Sequence, residues 1–199
     1  MRICSKSTFM DIFEAIENRR SLAHLLPQAV DHSTIEKVLS AALWAPNHHH
    51  TEPWHFFVFQ NDARQKLADA IMENFHRDNP DATDAQIEKA QKKNPRRIME
   101  SPVVIVVISE AGKDAMETHE NYAACACAVQ NMLLAAEAMG LGAYWRTGDA
   151  AYTALNAVKD LLDVPQNSDI VAFLLMGYAA PSEKKATRKP LAEKVTWVD

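Results

Sequence analysis

Three short stretches of the chain carry side chains that could hold a ligand or do chemistry. Arg19-Arg20-Ser21 sets two guanidiniums beside a hydroxyl, and such a set can fork onto the oxygens of a phosphate. The same residues follow Phe9, Ile12, Phe13 and Ile16, which recur at helical spacing, so they also stand where cations oppose a helix dipole. Trp145-Arg146-Thr147-Gly148 closes an apolar run in a turn, where side chains meet ligands; an edge strand with a snorkelling arginine has the same signature. The third stretch, Trp44 to Phe59, holds His48-His49-His50 between tryptophans and prolines. It is a metal site, a stretch with no particular role, or the wall of a pocket for something flat and aromatic. Adjacent histidines diverge and Glu52 is the sole acid of the stretch, so no metal is expected there.

Much common machinery is missing. The five glycines are not spaced as a dinucleotide fingerprint or a phosphate loop, and neither a Gly-x-Ser-x-Gly elbow nor a His-Glu-x-x-His occurs. Any phosphate bound here must therefore be held by arginines. With 199 residues, 48% of them hydrophobic, the chain reads as one domain spanning 1–199 with one sizeable core. A net charge of −5 gives no electrostatic case for nucleic acid or an anionic membrane. No apolar run approaches the length of a membrane span, and residues 1–8 read as a short extension rather than a signal peptide. Cys4, Cys125 and Cys127 are too few for a disulfide framework, which points to reduced thiols and a cytoplasmic location.

The elements that must position these residues follow from periodicity. Ser33-Thr34-Ile35-Glu36 reads as a capping box opening a helix whose buried stripe is Ile35, Val38, Leu39, Ala42 and Leu43, closed by Pro46. Trp54 to Gln60 is a strand, and Asn61 or Asp62 caps a helix to about His76. Residues 77–97 are polar with a weak helical pattern through Ile87 and Ala90, and read as an exposed, mobile excursion near a pocket mouth. Val103 to Ile108 is apolar on both faces, hence a covered central strand. Glu117 to Met139 is small and apolar almost all round, a buried helix ended by Gly140, with room for a close neighbour such as its copy in a second subunit. A strand around Ala143–Trp145, a helix from Tyr152 to Leu162 and a strand Ile170–Met176 complete an α+β or α/β order. The tail 179–199 carries Leu191, Val195, Trp197 and Val198, which need a surface to cover, expected on a partner chain.

Taken together the motifs resemble the FMN-dependent NAD(P)H nitroreductase family. Asn18-Arg19-Arg20-Ser21 is similar to its Arg-Arg-Ser opening. Ala45-Pro46-Asn47-His48 with Glu52-Pro53-Trp54-His55-Phe56 resembles its Ala-Pro-Ser/Asp…Gln-Pro-Trp-x-Phe segment. Ser101-Pro102, Met139-Gly140-Leu141-Gly142, Gly177-Tyr178 and Arg188-Lys189-Pro190-Leu191 follow in order, and Trp145-Arg146-Thr147-Gly148 resembles the Trp-Arg-Ser-Gly of a small subgroup. The match covers nearly the whole chain.

The resemblance implies an α+β, three-layer α/β/α sandwich with a central mixed sheet, in an intertwined homodimer holding one FMN at each end of the interface. It implies ping-pong transfer of electrons from NADH or NADPH to a nitroaromatic, a quinone or a similar small-molecule acceptor. Carried over by position, Arg19 and Ser21 meet the FMN phosphate or pyrimidine edge with Arg20 beside them. Trp44 comes near the partner's flavin and His48 lies along the cofactor. Trp145, Arg146 and Thr147 follow the ring and ribityl chain, and Arg188 assists at the phosphate. No side chain is expected to act as the catalyst of the hydride step. Two positions depart from the pattern: Ala23 stands where relatives carry a third cation, and Glu52 where they carry glutamine. A dehalogenase or enone reductase of the same fold, or a flavin- or metal-binding protein without turnover, are the alternative readings.

Overall fold

A computed structural model describes residues 10–22, 24–146, 155–179 and 187–198. The extension 1–8, Ala23, Thr147-Gly148 and the expected helix start at Tyr152 lie outside the described residues. In chain order the helices are α1 (Ile12–Asn18), α2 (His32–Ala42), α3 (Ala63–Asp78), α4 (Asp84–Gln91), α5 (Asn94–Glu100), α6 (Ala115–Ala138) and α7 (Asn156–Leu162). The strands are β1 (Trp54–Gln60), β2 (Val103–Ser109), β3 (Leu141–Arg146) and β4 (Asp169–Tyr178), in sheet order β1-β2-β4-β3.

All seven residues of β2 are buried, because the strand is covered on both faces. Its side chains alternate across the sheet. Val103, Ile105 and Val107 join a core with α2 and α6, whereas Val104, Val106 and Ile108 join a second core with α3, α5 and α7. This is the expected three-layer sandwich. The sheet differs in one respect from the mixed sheet expected: β1-β2, β2-β4 and β4-β3 all pair antiparallel. Among the described residues parallel pairing is confined to one isolated bridge, Ser21 with Ala143.

Local chemistry explains the boundaries. The cap of α2 is Asp31 rather than the expected Ser33–Glu36 box. Its carboxylate accepts from the Thr34 amide at 2.9 Å and from the Ser33 and Thr34 hydroxyls at 2.6 and 2.8 Å. A carboxylate at a helix start outcompetes a hydroxyl for the free amides, and the Ser33 and Thr34 hydroxyls hold its pKa down to about 2. The same helix ends at Ala42, one turn before Pro46. Asp114 caps α6 by accepting from the Glu117 amide, and Gly140, at φ +72°, lets the chain leave its C-terminus. The 77–97 excursion is built of two helices, α4 and α5, and Ile98 of α5 is fully buried against α3. Between α4 and α3 lies a cavity of about 630 Å³ lined by Ile71, Phe75, Ala90 and Leu155. Burial pushes the Cys125 thiol up to about 11, so inside α6 this cysteine packs as a small apolar group.

One packing detail carries the chain from α1 onto the sheet. Gly142 of β3 and Gly177 of β4 stand directly opposite one another. A Cβ added at Gly142 would come within 2.9 Å of the Ala179 methyl and 3.0 Å of Leu25 Cδ2. One added at Gly177 would meet the Pro102 ring at 2.8 Å and Leu25 Cβ at 3.5 Å. The paired glycines thus form a shallow niche that receives Leu25. Around it the Leu22 amide donates to the Ala143 carbonyl at 3.1 Å and the Leu26 amide to the Tyr178 carbonyl at 2.7 Å. The niche cannot be widened cheaply, since the Pro102 ring has no rotamer to yield. Gly177→Ala is therefore expected to destabilise the fold by about 1–3 kcal/mol. Denaturant melts against the parent protein measure it, and an unchanged midpoint would remove the niche from the account.

Candidate functional site

The segment seated in this niche sets the first group of candidate residues on the open edge of β3. Arg19 terminates α1, its amide donating to the Ala15 carbonyl at 3.0 Å. Arg20 folds back, and its Nη1 donates to the Glu17 carbonyl at 2.5 Å and the Arg19 carbonyl at 2.9 Å. Both sequence-level readings of this arginine pair are thus compatible: one guanidinium nitrogen closes the helix, and the rest of the group stays available. Arg20 Nε is buried with no hydrogen-bond acceptor among the described residues. An N–H in that condition costs free energy until something accepts from it, and an anionic oxygen accepts best. Ser21 is exposed and pairs with Ala143.

The second group lies further along β3. Trp145 packs into the core beneath α6, and its indole N–H donates to the Val171 carbonyl at 3.2 Å. Arg146, the next residue, emerges on the opposite face of the sheet and is half-buried. The tryptophan therefore anchors the strand that carries the arginine. Arg188 is exposed, with its Nη1 on the neighbouring Thr187 carbonyl at 3.0 Å. Thr147 lies outside the described residues.

The third group belongs to the other edge of the sheet. Trp44 follows α2 and is 86% exposed. His48–His50 form a single 3₁₀ turn leading into β1. In and just after it the backbone is left-handed at three residues that are not glycine: His49 at φ 53° and His50 at 55° within the turn, and Glu52 at 44° two residues beyond. Each costs of order 1–3 kcal/mol and persists only where neighbours over-determine it. Here α6 grips the turn twice. Glu120 Oε2 meets His48 Nδ1 at 2.9 Å, and the Thr51 hydroxyl donates to Asn121 Oδ1 at 3.3 Å. Asn121 in turn donates to the Glu110 carbonyl at 3.2 Å, and Asn47 Oδ1 accepts from the Glu52 amide at 3.1 Å. The His48 and His49 rings stack with centroids 3.9 Å apart. All three imidazoles are exposed, and among the described residues no three potential ligands gather to hold a metal ion.

Two groups of candidate residues thus occupy opposite edges of one sheet. With β2 and β4 between them, β1 and β3 are roughly 14 Å apart at the usual strand spacing. Cavities of about 630, 420 and 290 Å³ among the described residues are lined by residues other than Arg19, Arg20, Ser21, Trp44, His48, Trp145, Arg146 and Arg188. Sequence reasoning missed Glu120, Asn121 and Glu110, which hold the histidine turn. Asn121 is 70 positions from Thr51, and an acid and an amide on a helix carry no signal of a distant partner. It also left Leu25 unassigned, although glycines inside two strand patterns signal a close backbone approach.

As a donor set, Arg19, Arg20 with its orphaned Nε, and the Ser21 hydroxyl fit a phosphate monoester, and no acid of the described chain is bonded to them. The exposed indole and imidazoles of the other edge fit the face of a flat ring. No described helix is long and apolar enough to cross a membrane.

Comparison with known proteins identifies the family of the chain and its fold. YdjA of Escherichia coli K12, provisionally named an NAD(P)H nitroreductase, is 30% identical over 179 residues, covering 89% of this chain and 92% of its own. The crystal structure of a nitroreductase-like family protein from Bacillus cereus superposes with a TM-score of 0.85 at 28% identity, covering 97% of this chain and 98% of its own. A provisionally named nitroreductase from Desulfovibrio desulfuricans, solved in complex with FMN, has a TM-score of 0.71 at 25% identity, covering 94% and 96%. Residues 16–178 match the model of the nitroreductase family, which shows that the chain belongs to that family.

Proposed function

We propose that the protein is an FMN-dependent oxidoreductase that uses NADH or NADPH to reduce nitroaromatics, quinones or similar flat acceptors in ping-pong fashion. The observation that carries this reading is the placement of Arg19-Arg20-Ser21 on the β3 edge, with a buried guanidinium N–H that has no acceptor among the described residues, in a chain of the nitroreductase family. FMN, when bound, supplies the hydride chemistry. The chain's part is to bind, orient and exclude water. Arg19 and Arg20 neutralise the phosphate, Ser21 donates to it, and Arg188 assists from the tail. Trp145 anchors β3, so that Arg146 and Thr147 meet the ring and ribityl chain. Arg146 places a positive charge beside the ring, which favours the uptake of electrons and does what the cation missing at Ala23 does in relatives. His48 and Trp44 face the ring from the other subunit.

The opposite-edge arrangement supports a homodimer in this reading, with the Arg19–Ser21 edge of one chain and the Trp44–His48 edge of its partner meeting one FMN. The surface left bare agrees: Phe13 is 71% exposed, Leu191 72%, Trp197 84% and Val198 92%. Scattered apolar residues are ordinary, but a helix face and a tail without cores of their own need a partner. Sedimentation at low protein concentration should show dimer and little folded monomer; a stable, FMN-loaded monomer would overturn the shared site.

Arg19→Ala should weaken FMN binding by about 1.5–3 kcal/mol, roughly ten- to a hundredfold, as a charge-assisted contact is lost. Titration of apoprotein with FMN measures it, and an unaltered affinity would dismiss the phosphate assignment. Arg146→Gln should lower the flavin midpoint potential by tens of millivolts, given about 20 mV per kcal/mol for a two-electron couple. It should also slow reduction by NAD(P)H more than it weakens FMN binding. A dye-equilibrated redox titration of both proteins decides: an unmoved potential would return Arg146 to a purely structural role.

A further inference from the structure

The histidine turn has a feature that binding alone does not require. His48 and Thr51 are gripped by consecutive residues of α6, Glu120 and Asn121, and the left-handed His49 and His50 lie between the two grips. Backbone strain held between two anchors is how a chain keeps side chains at one spot that its own preferences would not choose. The Glu120 contact engages Nδ1 of His48, and its stacking on His49 limits rotation of the ring. With the Glu120 carboxylate beside Nδ1, the nitrogen left to exchange a proton with a ligand is Nε2. His55 is paired to Glu110 through its own Nε2 at 2.6 Å and has no such free nitrogen on that side.

We propose that His48 is the general acid of the acceptor half-reaction, a catalytic residue, and that Glu120 is its positioning residue. The inference rests on the proposed function, which supplies both the reductant and the place of His48 beside the flat acceptor. The balance requires such a group. A quinone becomes a hydroquinone by gaining one hydride equivalent, here originating from NAD(P)H, and one proton. The hydride brings both electrons and one hydrogen; the second hydrogen is the proton that the imidazolium Nε2–H gives to a quinone oxygen. The neutral imidazole then takes a proton from water. Glu120 and His49 contact the His48 ring, and Glu52 lies further along the same turn; on or beside the start of α6 stand Asp114, Glu117, His119 and Lys113, the last paired with Glu117 at 3.1 Å and near enough to Glu120 to interact with its charge. None of the others is bonded to its ring by an observed contact.

The test has a spectroscopic and a kinetic arm. NMR of the ¹⁵N-histidine-labelled protein should show one imidazole held as the Nδ1–H tautomer, lost in Glu120→Gln and absent in His48→Gln. FMN-loaded protein is then reduced with dithionite and mixed anaerobically with 1,4-benzoquinone across the neutral pH range. The parent should be reoxidised more slowly as pH rises, with a normal solvent isotope effect. His48→Gln, at saturating FMN, should lose roughly 10²-fold and become pH-independent, the usual scale of a missing general acid. Glu120→Gln, which touches no cofactor in this reading, should keep a pH-dependent limb but displace it. Reoxidation of both variants at the parent's rate with the parent's pH profile overturns the proton donor while leaving the proposed function standing. A parent protein that takes up no FMN, or is not bleached by NAD(P)H, overturns the proposed function and this inference with it.

Discussion

The seating of Leu25 over Gly142 and Gly177 is the constraint on which the site depends. Backbone hydrogen bonds from Leu22 and Leu26 alone would not hold the segment flush against the sheet, because any side chain at either glycine would lift it away. With the niche open, Ser21 pairs with Ala143 and the two arginines arrive beside the strand that ends in Trp145 and Arg146. Two absent methyl groups thus join a helix end to a strand edge, and the placement of Arg19, Arg20 and Ser21 is the product of that junction.

The opposite edge is organised by the reverse device. There the backbone is forced rather than freed, with three residues held left-handed without glycine. The forcing is supplied by α6, whose apolar face is locked under the sheet by Ala124, Ala128, Val129 and Met132 and whose polar residues Glu120 and Asn121 reach out to the turn. A rigid, buried helix is the right support for a strained loop, since dense packing leaves it little freedom to relax. The same helix therefore serves the core on one side and the site on the other.

Much of the fold is legible in local pattern. The continuous apolar run of β2 announces a strand covered on both faces, and the alanine-rich stretch of α6 announces a buried helix, because in both the period of apolar residues reports which faces are dry. The strand Trp54–Gln60 is found with its expected ends. Harder to read is the start of α2, where Asp31 displaces Ser33 as the cap; both are good caps, and which one the chain uses depends on where it turns. The antiparallel pairing of the whole sheet is likewise invisible locally, since strand direction is decided by how the connections cross.

By itself, then, the amino-acid order determined which residue types the site can use: arginines and a hydroxyl for an anion in a chain without a glycine cradle, and aromatic and imidazole rings for a flat ligand. It also determined the layers, because burial follows periodicity. Only the tertiary structure decided that these residues fall on two opposite edges of one sheet, that Arg20 Nε is buried without an acceptor among the described residues, and that His48 is tied to Glu120. The reason is physical: periodicity encodes which face of an element is dry, whereas the meeting of side chains 70 or more positions apart depends on strand order and on close contacts such as that of Leu25 with the glycine pair.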